Sequence, residues 1–330
     1  MKARRLSDPH LRPFGILFAS AALLVVLDFG QGRVLSAATA FSALQTFATL
    51  GLVTLGLGLS MMIREFDLSV AGMVGMAGCI AVMTGGKQPL LGLLLALVVG
   101  LAGGIVQGLI MVWLRLGSVG VTLGGLLTFV GISFVLTESR AVEYPNLQVA
   151  LALNDRIAGL LSMRSLIAFA IFAAVAMVIG YTRLGRDIIA IGSHRQGALI
   201  AGVNVNALLV GTFAFSGTMA ALSGALLSYS LASASPSGLS DVLVPAAAAA
   251  ILGGVSLSGG TGRPLGIAAG VLTLSVLRAG LNALGVPPFV NDIATGVILL
   301  AVALLEGPEL TRRLRSLRRW DQRSAPQAAR

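Results

Sequence analysis

The feature that most constrains this chain is a succession of long apolar runs that hold almost no charged residues. A bilayer core about 30 Å thick needs roughly 20 apolar residues in an α-helix. By that measure the sequence predicts ten membrane segments, although the eighth is short enough to leave eight or nine spans possible. The segments are residues 14–30, 43–63, 67–84, 90–114, 119–137, 163–181, 207–228, 242–257, 264–284 and 288–306.

The composition indicates an all-α integral membrane protein. Hydrophobic residues make up 56% of the 330 residues and charged residues only 11%, whereas a soluble domain carries about 25% charged residues. The apolar runs are continuous rather than alternating, which argues against a transmembrane β-barrel. The chain also has 42 glycines. These predict helices that pack closely through small side chains, because lipid provides no hydrophobic force between helices.

Two glycine ladders with a spacing of four residues fit this prediction. One contains Gly100, Gly104 and Gly108, and the other contains Gly262, Gly266 and Gly270. Each would form a face of small residues that lets a neighbouring helix approach. The two ladders also suggest a weak internal repeat, as in transporters built from related halves.

The basic residues predict the orientation in the membrane. The net charge is +10 and aromatic residues are only 5% of the chain, so membrane topology explains the basic clusters better than nucleic-acid binding. With a cytoplasmic N-terminus and ten crossings, seventeen Lys and Arg residues lie inside and five outside, as the positive-inside rule requires. Both termini are therefore predicted to be cytoplasmic. A cleavable signal peptide is the alternative for the basic start and first apolar run, but its removal would leave an odd number of crossings.

The chain is predicted to contain a single transmembrane domain, residues 14–306, between a cytoplasmic N-tail (1–13) and a basic cytoplasmic C-tail (307–330). Two longer loops interrupt the domain. Residues 138–162 are predicted to be periplasmic and residues 182–206 cytoplasmic. Leucines at helical spacing among the arginines of the C-tail predict a basic amphipathic helix on anionic lipid.

The segment MMIREFDLSVAGMVGM, residues 61–76, places three charged side chains between two apolar segments. We predict a short cytoplasmic turn at residues 64–66 and a helix that begins at Asp67. The Asp67 carboxylate would then accept a hydrogen bond from the backbone N–H of Ser69 or Val70 and offset the helix dipole.

A functional interpretation of the same segment is also open. Glycines at helical spacing follow Asp67 and leave one helix face without side-chain bulk, and an ionisable group at a membrane edge commonly borders a wet cavity. Asp67, Ser69 and Gly72 are therefore candidates for the translocation path or its gate.

The most polar interior stretch is YTRLGRDIIAIGSHRQGALIAGVNVN, residues 181–206. It predicts a short helix that lies across the membrane surface, where another protein can bind it, and a solvated loop is the alternative. The candidate coupling residues are Arg183, Gly185, Arg186, Gly192, His194, Arg195, Gly202, Asn204 and Asn206.

The glycine-rich stretch PAAAAAILGGVSLSGGTGRPLG, residues 245–266, is not a phosphate-binding loop. The chain contains no G-x-x-x-x-G-K-[ST] motif, so it has no Walker-type ATP site. The glycines instead predict sharp turns and close packing at the cytoplasmic end between two helices. The residues with this predicted role are Gly253, Gly254, Gly259, Gly260, Gly262 and Arg263.

Two polar residues inside the ninth segment predict an inward-facing surface. Arg278 and Asn282 are four residues apart and share one helix face. A lipid-facing arginine costs about 2.5 kcal/mol or more on insertion scales, so this face should point inward. It would serve either as a structural hydrogen-bond partner or as part of the solute path. The two histidines and Cys79 do not form a metal cluster of workable spacing.

Three stretches resemble the ribose-type sugar permeases of ATP-binding-cassette (ABC) importers. In LGLSMMIREFDLSVAGMVGMAG, residues 67–70 match the family hallmark, whereas residues 64–66 replace small residues and Ala71 stands where a glycine is expected. The second match is TRLGRDIIAIG with AGVNVN, within residues 182–206, which departs from the family at SHRQGA. The third is the glycine-rich stretch, residues 245–266, in which Arg263 matches too.

The resemblance implies the permease fold of an ABC importer, with about ten transmembrane helices (8–10), in the bacterial inner membrane. Such a subunit is not an enzyme and moves a monosaccharide or related small polyol. The resemblance also implies that residues 182–206 dock on a separate ATPase subunit, which binds ATP, so this chain needs no cofactor. A periplasmic binding protein would deliver the solute, and two permeases, identical or related, would form a dimer.

Other classes of function fit the sequence less well. An enzyme would need an acid pair, a nucleophile elbow or a metal constellation, and none appears. An ion-coupled secondary transporter of a small polar solute is the alternative, and it would carry several carboxylates within its spans. Only Asp28 and a few acids at segment ends lie near the bilayer.

Overall fold

The computed structural model describes residues 12–238 and 240–300, and most of them are helical. The predicted N-tail up to residue 11 and the predicted C-tail helix lie outside the described residues. The helices of the described part are α1 Arg12–Leu27, α2 Ala37–Met62, α3 Val70–Thr84, α4 Pro89–Leu114, α5 Ser118–Leu136, α6 Leu147–Asn154, α7 Met163–Tyr181, α8 Arg183–Ser193, α9 Arg195–Ile200, α10 Val205–Ser230, α11 Leu243–Leu252, α12 Pro264–Ala283 and α13 Phe289–Leu300.

A helix overlaps each of the ten predicted membrane segments. Six helices of the described part (α2, α4, α5, α7, α10 and α12) are long and apolar enough to cross a membrane, whereas α1, α3, α11 and α13 are shorter. With a rise of 1.5 Å per residue, the ten residues of α11 span only about 15 Å. The multi-pass membrane architecture is confirmed, and the count of ten spans stays a prediction.

The exception to the all-α architecture is a short antiparallel ladder. Strand β1 (Val142–Glu143) pairs with β2 (Ser233–Ala234), so the predicted 138–162 loop contains regular structure. Next to it, the ring of Tyr144 stacks on Tyr229 at a centroid distance of 4.6 Å. Burial raises the pKa of the Tyr144 phenol, which stays protonated and donates to the Gly85 carbonyl. We call this the β end of the bundle.

Helices α8 and α9 lie at the opposite end, which we call the α8–α9 end. The sequence predicted one short surface helix in residues 182–206, and the structure has two there. His194 separates them, because its backbone is extended and its Nδ1 accepts a hydrogen bond from Gly197 N at 2.8 Å. This cap begins α9 in a new direction.

The centre of the bundle is formed by α2 and α10. In the most apolar part of each, 61% of the residues are buried, and in the adjacent α12 72%, compared with 17% in α5. Helix α10 packs against α2, α3 and α4, and α12 packs against α2, α1 and α11. The fully buried side chains include Phe47, Leu55, Phe213 and Leu274. The periphery of the bundle, by contrast, exposes many large apolar side chains, as expected of a surface that faces lipid.

The first glycine ladder lies against α10. A Cβ at Gly104 would overlap the Phe213 carbonyl oxygen, and one at Gly108 would lie 2.8 Å from Val210 Cα. At Gly100 a Cβ would likewise meet the α10 backbone. The absence of side chains on this face therefore lets the two helix backbones approach closely.

The second ladder is shorter than predicted. Gly266 and Gly270 pack against the backbone of α11, at Gly253 and Ala249. Gly262 is not on the helix, because α12 begins at Pro264 and Gly262 lies in the preceding turn with a φ of 142°. The ladder on α12 therefore has two members.

Substitution by alanine at two different glycines should have different effects on stability. Gly104→Ala is expected to destabilise the chain by about 1–3 kcal/mol, since overpacking moves the helix backbones apart. Gly120 lies on α5, and a methyl group added there would have no atom within 4 Å, so Gly120→Ala should be neutral or stabilise by up to about 1 kcal/mol through helix propensity. Unfolding of both variants in detergent measures the difference, and equal stabilities would contradict the packing argument.

Candidate functional site

The turn between α2 and α3 contains Asp67. Helix α3 begins at Val70, three residues later than predicted, because the Asp67 carboxylate binds the turn before the helix. Its Oδ1 accepts hydrogen bonds from Ser69 N at 3.0 Å and from Ser69 Oγ at 2.6 Å. The predicted Asp67–Ser69 bond is therefore present. The Asp67 side chain is 1% exposed, so this carboxylate is part of the core.

The turn is also bonded to two neighbouring helices. From α4, the Gln107 side chain donates through Nε2 to Ser69 Oγ at 2.9 Å. From α5, Ser118 Oγ accepts from Phe66 N at 3.1 Å. The Thr122 hydroxyl shares its proton between Ser118 O at 2.8 Å and Phe66 O at 3.1 Å. A displacement of this turn would therefore strain or break its hydrogen bonds to both α4 and α5.

The charged residues before Asp67 bind the segment that contains α8 and α9. Arg64 Nη2 donates to the carbonyl of Ser193 at 2.9 Å. Glu65 Oε1 forms an ion pair with Arg195 Nη1 at 2.8 Å. These contacts explain why charged residues stand here between two apolar helices: they join the α2–α3 turn to the surface segment.

A third segment completes this contact. Gly260 N donates to the carbonyl of Met62 at 2.9 Å. Gly192 lies between them, and a Cβ there would overlap both the Met62 oxygen and the Gly260 nitrogen. We call the place where residues 62–65, 192–195 and 259–260 meet the junction.

The glycine-rich loop turns at this junction. Positive φ values occur at Gly254 (84°), Gly259 (72°) and Gly260 (75°), in addition to Gly262. This is the left-handed backbone region that glycine enters without steric cost. Gly253, in contrast, has a φ of −72° and contacts Gly266. Arg263 is exposed and precedes α12.

The candidate coupling residues divide into two groups. One group is structural: Gly185 and Gly192 are buried, His194 caps α9, Asn204 Oδ1 accepts from Ala207 N at the start of α10, and Gly202 has a φ of 84°. The other group is exposed on the surface and contains Arg183, Arg186, Arg195 and Asn206.

Apolar side chains are exposed beside these arginines. Ile189 is 39% exposed, Leu199 54% and Ile200 89%. Exposed apolar residues next to basic ones are typical of a protein-binding surface. The sequence analysis did not single them out, because in an apolar chain they have no distinguishing pattern.

A polar cavity of about 560 Å³ lies at the β end. Arg278 and Asn282 line it, as an inward-facing surface of α12 requires. The other candidates for the path, Asp67, Ser69 and Gly72, do not line it and lie near the α8–α9 end. A Cβ at Gly72 would be 2.7 Å from the Leu126 carbonyl oxygen, so this glycine serves the packing of α3 on α5. The five candidates thus do not form one site.

The other polar side chains of this cavity, which were not predicted as candidates for the path, come from separate elements. Gln45 and Thr49 lie on α2, Arg164 on α7 and Asn291 on α13. Each stands in a largely apolar segment, and nothing in the local sequence shows that these side chains meet. The full lining is Gln45, Thr46, Thr49, Leu50, Arg164, Leu227, Gly238, Asp241, Val242, Arg278, Asn282, Pro288, Asn291 and Asp292.

Comparisons with known proteins agree on a transport component. The family described as the permease component of branched-chain amino acid transport systems matches residues 39–303. The autoinducer 2 import system permease protein LsrC of Photorhabdus luminescens is 31% identical over 292 residues, which cover 86% of each chain. The protein of the same description from Yersinia enterocolitica is 30% identical over 293 residues, covering 88% of this chain and 80% of that one. No solved structure matches this chain.

The two hydrogen bonds to Asp67 can be tested by a pair of substitutions. Asp67→Ala should destabilise the chain by about 1–3 kcal/mol, since it leaves buried donors without an acceptor. Asp67→Asn keeps an oxygen at Oδ1 for Ser69 and should cost clearly less. Unfolding of both variants in detergent measures this difference, and an equal loss would show that the negative charge, rather than the hydrogen bonds, stabilises the turn.

Proposed function

This chain belongs to the family of branched-chain amino acid transport system permease components, and we propose that it is the transport subunit of an ABC importer driven by a separate ATPase. It is a multi-pass inner-membrane protein and a transport component rather than an enzyme. The proposed solute is a monosaccharide or related small polyol. Relatives that carry the description of an autoinducer 2 import permease support a sugar-type solute rather than an amino acid.

The observation that carries the proposal is the surface formed by α8 and α9. It combines exposed arginines with exposed apolar side chains, Ile200 above all, while its inner face is fixed to the bundle by Gly185 and Gly192. A rigidly held amphipathic surface outside the apolar bundle suits the docking of an ATPase subunit, where ATP would bind.

The junction connects this surface mechanically to the helices of the bundle. A force applied to α8 or α9 would reach Arg64 and Glu65 through their bonds to Ser193 and Arg195. From there the α2–α3 turn is bonded to α4 and α5 by the contacts at Gln107 and Phe66 described above. This series of hydrogen bonds and ion pairs can change which side of the path is open only if the bonds differ between two states of the importer.

The proposed topology places the α8–α9 end and both termini in the cytoplasm. Within the described residues, the exposed arginines at this end support that orientation through the positive-inside rule. They are Arg64, Arg115, Arg183, Arg186, Arg195 and Arg263. The β end would then face the periplasm and receive solute from a binding protein.

A second permease, identical or related, is the proposed partner within the membrane. Helix α5 is the least buried of the six long helices. Gly120, Gly124 and Gly131 on it have no atom within 4 Å of a Cβ position, so its outer face is open to close helix packing. An apolar groove of about 890 Å³ between α4 and α5 adjoins this face.

The docking role predicts the effect of a single exposed substitution. Ile200→Asp, in the importer reconstituted with its ATPase subunit and binding protein, should lower binding-protein-stimulated ATP hydrolysis by on the order of tenfold or more, as for a central interface residue. Insertion of the chain in the membrane should be unchanged, because the side chain is 89% exposed.

The matched control for this assay is Leu35→Asp. Leu35 is 74% exposed and lies just before α2 at the β end, the proposed binding-protein face, so this control is read as co-purification of the ATPase subunit with the chain. Leu35→Asp should leave that co-purification at the wild-type level, whereas Ile200→Asp should reduce it. Normal stimulation in Ile200→Asp would refute the docking role. Uphill uptake by the chain alone on an ion gradient would instead support the alternative, a secondary transporter.

A further inference from the structure

We infer that each permease chain holds the solute within its own polar cavity at the β end, as a weak site for a neutral polyhydroxylated molecule. The inference rests on the proposed importer function. It adds the location of a solute site, the residues that form it and the chemical class of the solute. The cavity volume of about 560 Å³ lies within the usual range for small-molecule sites, about 300–1,000 Å³.

Several buried polar atoms in the cavity have no hydrogen-bond partner among the described residues. Both side-chain polar atoms of Gln45 are in this state, as are the Nε atoms of Arg164 and Arg278 and the Oδ1 of Asn291. Arg164 is 5% exposed and Asn291 9%. Because an unsatisfied buried polar group costs about 1–3 kcal/mol, these atoms need partners, which water or a polar solute in the cavity would supply.

The remaining bonds of these side chains hold them in position. Arg164 Nη1 donates to Ser230 Oγ at 2.8 Å, and its Nη2 donates to Thr49 Oγ1. Asn291 Nδ2 donates to Asn282 Oδ1 at 3.1 Å. The guanidinium and the amide are thus held in place, while Nε of Arg164 and Oδ1 of Asn291 stay unpaired.

The charges of the lining favour a neutral solute. Two arginines, Arg164 and Arg278, are offset by two carboxylates, Asp241 and Asp292. The described lining therefore carries no net charge that would favour an anionic or a cationic sugar over a neutral one. A hydroxyl group both donates and accepts, so a polyol can use amide, guanidinium and carboxylate groups together.

The site should bind weakly and without strong selectivity. No aromatic ring is among the described residues that line the cavity, so a sugar ring has no apolar face to stack on. Part of the wall is formed by Gly238, which lies in a turn with a φ of 55°. Irregular backbone at membrane depth occurs where it lines a water-filled cavity or is covered by protein, which fits a solute path.

Cysteine labelling of the full chain in nanodiscs tests the site directly. In a Cys79→Ser background, Thr46→Cys places a thiol in the cavity and Thr84→Cys places one at the exposed end of α3 on the same side. The two threonines are matched, because each hydroxyl bonds only the carbonyl four residues earlier, that of Ser42 or Ile80. The probes are D-ribose, D-xylose, D-galactose and autoinducer 2, with ribose 5-phosphate as the anionic comparison.

At least one neutral probe should slow the reaction of Thr46→Cys with a charged maleimide roughly threefold, as for two-thirds occupancy, and leave Thr84→Cys unaffected. Adding Gln45→Ala or Asn291→Ala should abolish this protection. The inference is overturned if no neutral probe protects, if protection is equal at both thiols, or if it persists in the alanine variants.

Stronger protection by ribose 5-phosphate than by D-ribose would overturn the neutral class. The labelling uses the chain without its ATPase or binding protein. Its outcome is therefore independent of the Ile200→Asp assay, and failure of the cavity and failure of the importer function can be told apart.

Discussion

The close packing of α10 against α3 and α4 is the constraint on which the rest of the structure depends. Lipid gives helices no hydrophobic reason to associate, so the bundle gains stability from close packing of the helices and from hydrogen bonds between them. Gly224 allows this against the carbonyl of Val74 on α3, and Gly217 against Gly100 on α4. With α10 held at the centre, the start of α3 is fixed beside α4 and the end of α10 is fixed beside Arg164. Both the junction and the polar cavity therefore depend on contacts that involve no functional side chain.

Helix α2 connects the two sites. Thr49 belongs to the cavity wall and Met62 to the junction, and the helical rise between them is about 20 Å. Every residue from Leu50 to Met62 is buried, and packed elements move between discrete arrangements rather than deforming continuously. In the proposed importer, a displacement of the junction by an ATPase would therefore shift α2 as a rigid rod and alter the cavity at its other end.

The sequence predicted the helical membrane architecture and the family, because long apolar runs and ordered glycine motifs are local patterns. It placed the start of α3 at Asp67, since a carboxylate before an apolar run is the usual cap. The true start depends on Ser69 and on Gln107, which is 38 residues away. The cavity escaped prediction for the same reason. Gln45, Arg164 and Asn291 come from three helices, and only the tertiary fold brings their side chains together.

A weak site is what the proposed transport cycle requires. A permease that held its solute tightly would retain it, so conduction needs binding that is favourable enough for entry and weak enough for release. The cavity meets both conditions: it contains polar groups that can bind a solute, while the described lining residues carry no net charge and no aromatic ring. Water can replace the solute at each of these groups with similar hydrogen bonds. The solute-bound and water-filled cavities therefore differ little in free energy. Selection of the solute then falls to the binding protein, and the free energy of ATP hydrolysis acts on the helices rather than on the ligand.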